Sequence, residues 1–177
     1  MLSKTGLIIL TILICGSQVL ADEVDRKGPA LGLGIGIAPM TGYSHEGGAN
    51  YLDRDRDLSE MGLGFNLVFG YAVHDLNMIT LTVNGAILDG GSGTSTQGFA
   101  GPVWYHFFSR SQSSAFITLG PGVYLYDSYT SGIGLLAGFG VHVSRHWQMG
   151  GYYAYGRTNG GKNTHNQLNF LVSFISF

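Results

Sequence analysis

The chain is written in alternation. Along Leu31-Gly-Leu-Gly-Ile-Gly-Ile37 every odd position is a large aliphatic residue and every even one is glycine. Side chains of a strand point to opposite faces with period two, so this stretch has one greasy face and one nearly bare one. The pattern returns over 61–71 (MGLGFNLVFGY), and over 79–84, where Ile79, Leu81 and Val83 oppose Thr80, Thr82 and Asn84. It continues through 99–107, with Val103 and Tyr105 opposite Ala100 and His106, and through 116–126. Over 133–143, Ile133, Leu135, Phe139, Val141 and Val143 face away from Gly134, Gly138, Gly140 and His142. Segments 147–155 and 168–177 complete eight strands of roughly ten residues, the length a tilted strand needs to cross a bilayer. No segment carries a helical period.

The connections differ in kind. Short ones fall near 72–76, 109–113 and 144–146, and more polar ones at 41–59, 89–96, 127–131 and 158–166. Tight turns on one side and larger loops on the other are expected of an outer-membrane barrel, with both termini in the periplasm. Tyr71, Tyr105, Phe107, Trp147 and Phe177 fall at strand ends on the periplasmic side, where an aromatic girdle is expected.

Composition sharpens this reading. Residues 1–21 have the form of a secretory signal peptide: Lys4, an apolar run over 7–14 too short to span a bilayer, then Val19-Leu20-Ala21 before a cleavage site. The one cysteine, Cys15, lies inside this segment behind Ile14, so no acylated cysteine, disulfide or thiol chemistry is expected in the mature chain. Residues 22–29 form a periplasmic leader, and 30–177 the barrel. Without Lys4, 8 basic residues stand against 11 acidic, and nothing in that balance suggests nucleic acid. Charged residues are 11% of the chain against ~25% in soluble domains, and Gly is 29 of 177 against ~7%. An exported chain this poor in charge, with no long apolar helix, points to an all-β, eight-stranded antiparallel transmembrane barrel in the bacterial outer membrane.

These glycine-rich alternating strands, tight turns and terminal Phe177 resemble the small outer-membrane barrels of the opacity-protein and OmpA/OmpX type. The resemblance covers nearly the whole mature chain. It implies that Phe177 is read by the barrel-assembly machinery, and it would lead one to expect buried ion pairs of the OmpA kind, which the strands do not supply. The last strand carries Leu168, Phe170, Val172 and Phe174 on one face and Ile175 and Phe177 on the other, so both faces are apolar and neither is marked as the lipid side.

An eight-stranded interior is filled by side chains, which argues against a general porin. The lumenal set is read as Gly32, Gly34, Gly36, Gly64, Asn66, Thr80, Thr82 and Asn84, with Trp104, His106, Tyr124, Tyr126, His142 and Tyr152 packing across it. A small lipophile pocket is the alternative use of that space.

Four polar clusters invite chemistry. The 155–170 hairpin (YGRTNGGKNTHNQLNF) resembles, through Thr158-Asn159-Gly160, the His-x-Ser-Asn of lipid A deacylase barrels. Tyr155 and Gly156 stand where that family has its histidine, and 168–174 offers no acid. An activated hydroxyl needs a base in reach and a group that orients the base, and His165 reaches Thr158 only if the loop folds inward. The hairpin therefore reads as a polar tip. His142-Val143-Ser144 does contain a His-x-Ser, but at the periplasmic end. Asp53-Arg-Asp-Arg-Asp57 has the 1, 3, 5 spacing of a calcium loop, yet Leu58 and Gly64 stand where Gly and an acid are required. His74-Asp75 reads as a turn. No metal, cofactor or catalytic residue is assigned. Arg54 and Arg56, with Lys162, are candidate contacts for lipopolysaccharide phosphates, and 41–59 has the most room to meet a partner, whose identity the residues do not give. The expected function is non-enzymatic, in envelope integrity or surface interaction, with a lipid-binding or deacylase-like barrel as the alternative.

Overall fold

The computed structural model describes residues 23, 25–45, 62–90, 93–126, 130–158 and 163–177. Eight strands follow one another: β1 (Gly28–His45), β2 (Gly62–His74), β3 (Asn77–Gly90), β4 (Gly93–Phe107), β5 (Ser114–Tyr126), β6 (Thr130–His142), β7 (Trp147–Thr158) and β8 (Asn163–Ser176). Each pairs antiparallel with the next, and β8 returns to β1, so the sheet closes without an edge. Closure gives the backbone N–H and C=O groups of the ladder partners within the sheet, which is what lets strands enter hydrocarbon.

Leu31, Leu33, Ile35, Phe69, Leu81 and Phe139 face outward and are exposed, as is Ile133 at 82%. A soluble protein rarely carries so large a contiguous apolar surface. On a closed barrel it is the band that meets lipid. Among the described residues no helix is long and apolar enough to cross a membrane; the strands do the crossing. In β1 the register shifts between Ile37 and Met40, and past that bulge the exposed position moves to Met40.

Two ends can be distinguished: a base, with the leader, Phe177 and the turns after β2, β4 and β6, and a mouth at the opposite side. The mouth departs from expectation. Residues 89–96 belong almost wholly to the ladder, with Asp89 opposite Thr94 and Gly90 opposite Gly93. The ladder likewise reaches Tyr126 and Thr130, and Thr158 and Asn163. β-Branched threonines pair well on a pleated sheet, and polar side chains no longer forbid pairing once the strand has left the hydrocarbon. The long connection is 46–61, outside the described residues.

The interior corrects the lumenal reading at β4. Trp104 faces outward at 41% exposure and His106 lies beside it, whereas Val103, Tyr105 and Phe107 are buried inside. Tyr105 and Phe107 are therefore not part of an outward girdle, although Tyr71 and Trp147 are exposed as expected. The physical reason is that the base of the lumen is apolar. Val68, Ala72, Met78, Val103, Tyr105, Phe107, Phe116 and Ile175 form one cluster there, with Phe177 packed against it. The last strand turns Phe170, Val172 and Phe174 outward and Leu171, Ser173 and Ile175 inward.

Candidate functional site

The mouth of the barrel carries the polar cluster nearest to chemistry. Thr158 is the last residue of β7, and His165 is the third of β8, opposite Gly156. Both point inward, and Thr158 Oγ1 lies 3.0 Å from His165 Nε2. The imidazole is held between rings: its centroid is 4.7 Å from that of Tyr126 and 5.5 Å from that of Tyr124, nearly parallel to the latter. Gly156 makes this possible, because a Cβ there would collide with the Tyr124 side chain. The inward folding required for His165 to meet Thr158 is thus built into the ladder rather than into the loop.

Hydroxyl and imidazole at this distance are a nucleophile and base in outline. Their burial argues otherwise. Thr158, His165 and Tyr124 are exposed by 0%, 1% and 0%, so the hydroxyl faces the packed interior rather than an open surface. The pair works as an internal hydrogen bond that closes the mouth. Beneath it lies an amide layer: Asn169 Nδ2 donates to Asn84 Oδ1 at 2.8 Å and to Gly85 O at 3.2 Å. With its amide oriented to donate to Gln97 O at 3.3 Å, Gln167 accepts from Ala86 N at 3.3 Å and joins the same layer. The layer is only partly paired, since Asn84 Nδ2 and Gln97 Nε2 are buried without a hydrogen-bond partner.

The base holds a second cluster, with no counterpart in the reading of the sequence. Arg26, from the leader, is fully buried under the barrel. Its Nη1 donates to Asp75 O at 3.2 Å and Ser109 O at 3.0 Å, and its Nη2 to Ser111 O at 2.6 Å. The guanidinium carbon sits 4.6 Å from the centroid of the Phe107 ring. Burial pulls the guanidinium down to about 10, with the Asp75 carboxylate opposing that shift, and it stays charged at physiological pH. Asp75 also faces Lys27 Nζ at 3.9 Å and Arg110 Nε at 3.7 Å. Asp75 is therefore more than a turn residue, and the buried charge absent from the strands arrives from the leader. The basic pair Arg26-Lys27 just before Gly28 is the sequence signal for it.

Tyr124, His142 and Tyr152 are buried in the interior and Tyr126 is half-buried at the mouth. His142 packs its ring against Phe107 and Phe177 at 5.7 and 5.8 Å, with Ser144 in the following turn. Trp104 Nε1 donates to Asn77 Oδ1 at 3.1 Å, and His106 Nδ1 shares that oxygen at 3.0 Å, so both rings join Phe108 in an outward aromatic group. His74 Nδ1 accepts from Leu76 N at 3.3 Å. Arg54, Arg56 and Lys162, and the 53–57 carboxylates, lie outside the described residues. Among the described residues no group of three His, Cys, Asp or Glu could hold a metal ion.

No protein-family model and no curated protein matches the chain. Solved structures do. The chain is similar to Ail, the attachment invasion locus protein of Yersinia pestis, at 11% identity and a TM-score of 0.56, over 85% of this chain and 99% of that one. It is similar to Neisserial surface protein A (NspA) at 16% identity and a TM-score of 0.56, over 83% and 96% of the two chains. At these identities, 11% and 16%, the likeness is one of fold alone, the closed antiparallel barrel.

Proposed function

We propose that this protein is a bacterial outer-membrane barrel that conducts nothing and serves the envelope as an anchored scaffold, meeting its partners through the connection at 46–61. The observation that carries this reading is the filled lumen. Tyr105, Tyr124, Tyr152, Phe99, Phe107, Phe116 and Leu136 are all fully buried inside it, leaving side chains where a channel would need water. A surface role agrees with the names of two structural neighbours, an attachment invasion locus protein and a surface protein. Arg54, Arg56 and Lys162 are the cations proposed to meet lipopolysaccharide phosphates, since guanidinium forks suit phosphate oxygens. Phe177 is proposed to be read by the assembly machinery before it turns into the base of the lumen.

Planar-bilayer recording of the purified protein tests the scaffold. Silence is expected, and a reproducible unitary conductance overturns it. Retention of lipid A vesicles by the folded protein, reduced in an R54A/R56A/K162A variant, tests the phosphate contact.

A second reading, acyl chemistry on an outer-leaflet lipid, is favoured by the Thr158–His165 contact alone. Mass spectrometry of lipid A from matched cells with and without the protein decides it. Loss of an acyl chain that disappears in T158A would replace the scaffold by an enzyme.

A further inference from the structure

We propose that the leader is a closure latch, with Arg26 as its bolt, that locks the base of the barrel only after the sheet has closed. The partners of Arg26 are distant in the chain. Asp75 O, Ser109 O and Ser111 O are 49, 83 and 85 residues away from it. They belong to two separate turns, after β2 and after β4. The ring beneath the guanidinium, Phe107, also carries Phe177 from the far end of the chain, at 6.3 Å between centroids. The seat therefore does not exist in any β1–β2 hairpin. It requires the turns of four strands and the C-terminus to be in position together.

The local backbone aims the leader at this seat. Gly28 has φ of 123°, a conformation that side chains rarely adopt, and it turns the chain from the leader into β1 directly after Arg26 and Lys27. Glu23 adds a bridge to Ser111. Placing a guanidinium away from water is unfavourable unless it is paired and hydrogen-bonded. Here three carbonyl oxygens and an aromatic face, in the field of the nearby Asp75 carboxylate, offset that cost, while Nε is left without a partner. A planar fork spans these acceptors; the single ammonium of lysine does not. Lys27 cannot take its place, because its side chain is 58% exposed and reaches only the outer side of Asp75.

Interactions that form last slow unfolding without speeding folding, and this distinguishes a latch from an ordinary contact. The test uses folded protein purified from outer membranes in detergent, as wild type, Arg26→Ala and Arg26→Lys. Unfolding in urea is followed by loss of the heat-sensitive gel mobility of the folded form, and refolding by its return on dilution. Both variants are expected to unfold on the order of tenfold faster and to refold within about twofold of wild type. Slower refolding with unchanged unfolding would put Arg26 in the folding nucleus and overturn the latch. Unchanged rates in both directions would overturn it as well. Where the alanine variant fails to accumulate, Arg26→Lys, which keeps the charge and loses the fork, carries the same comparison.

Discussion

The two ends of the lumen are closed by different means. At the mouth, one hydrogen bond joins neighbours: Thr158 and His165 sit on the adjacent strands β7 and β8, while Tyr124 and Tyr126 of β5 reach the imidazole from across the lumen. At the base, strangers close it. Phe107, Phe116, His142 and Phe177 meet from four places in the chain, and Arg26 enters from outside the barrel. The Thr158–His165 bond is thus a product of local pairing, whereas the tyrosine stack above it and the whole base are products of completed closure. Stability and order of assembly should separate accordingly.

The strongest blow to that contrast is Phe107→Ala. It removes the ring shared by Phe116, His142, Phe177 and Arg26, and a loss of about 3–5 kcal/mol is expected for a buried phenylalanine, read from urea unfolding in detergent. A loss below about 1 kcal/mol would mean the base does not depend on that ring.

Gly156→Ala attacks the mouth. The new methyl displaces Tyr124, and overpacking of this kind costs about 1–3 kcal/mol. The shifted ring should also change the NMR signals of His165, while leaving those of Phe177 alone. Movement at both ends would show that the two closures are coupled.

A smaller effect sharpens the comparison. Thr158→Val leaves His165 Nε2 without its hydroxyl, for about 1–3 kcal/mol. Combined with His165→Phe, the loss should be less than the sum of the two single losses, since each single change already removes the bond. Strict additivity would show that the 3.0 Å contact contributes nothing. The smallest expected effect is at the outward face. Trp104→Phe removes one partly exposed hydrogen bond to Asn77, worth about 0.5–1.5 kcal/mol, whereas Tyr105→Ala, one residue away and fully buried, should cost about 3–5 kcal/mol as other buried aromatics do. Equal losses at 104 and 105 would contradict the inward phase of β4.

Much of this was legible in the sequence, for a definable reason. Lipid on one side and a narrow lumen on the other make alternation obligatory wherever the lumen wants small or polar groups. Thus the Leu-Gly repeat of 31–37 and the Ile-Thr repeat of 79–82 declare their outward faces by themselves. The reading failed where the lumen is apolar. Along Val103-Trp-Tyr-His-Phe107 both faces are bulky, so hydrophobicity cannot tell them apart, and the polar look of Trp104 and His106 points the wrong way. On β8 the same ambiguity left the faces open. At the mouth, polar residues read as loop in the sequence, although the ladder continues past hydrocarbon.

Arg26 was illegible for another reason. A leader has no period, and nothing near residue 26 in the chain forms its seat. Sequence alone determined that this protein is a closed barrel with an apolar exterior, because period-two burial is a local property that each strand records independently. Tertiary structure alone decided which rings fill the base, that Tyr124 and Tyr126 of β5 meet His165 of β8, and that a leader arginine lies buried beneath the barrel. Those are contacts between residues that strand closure brings together, and no local pattern encodes them.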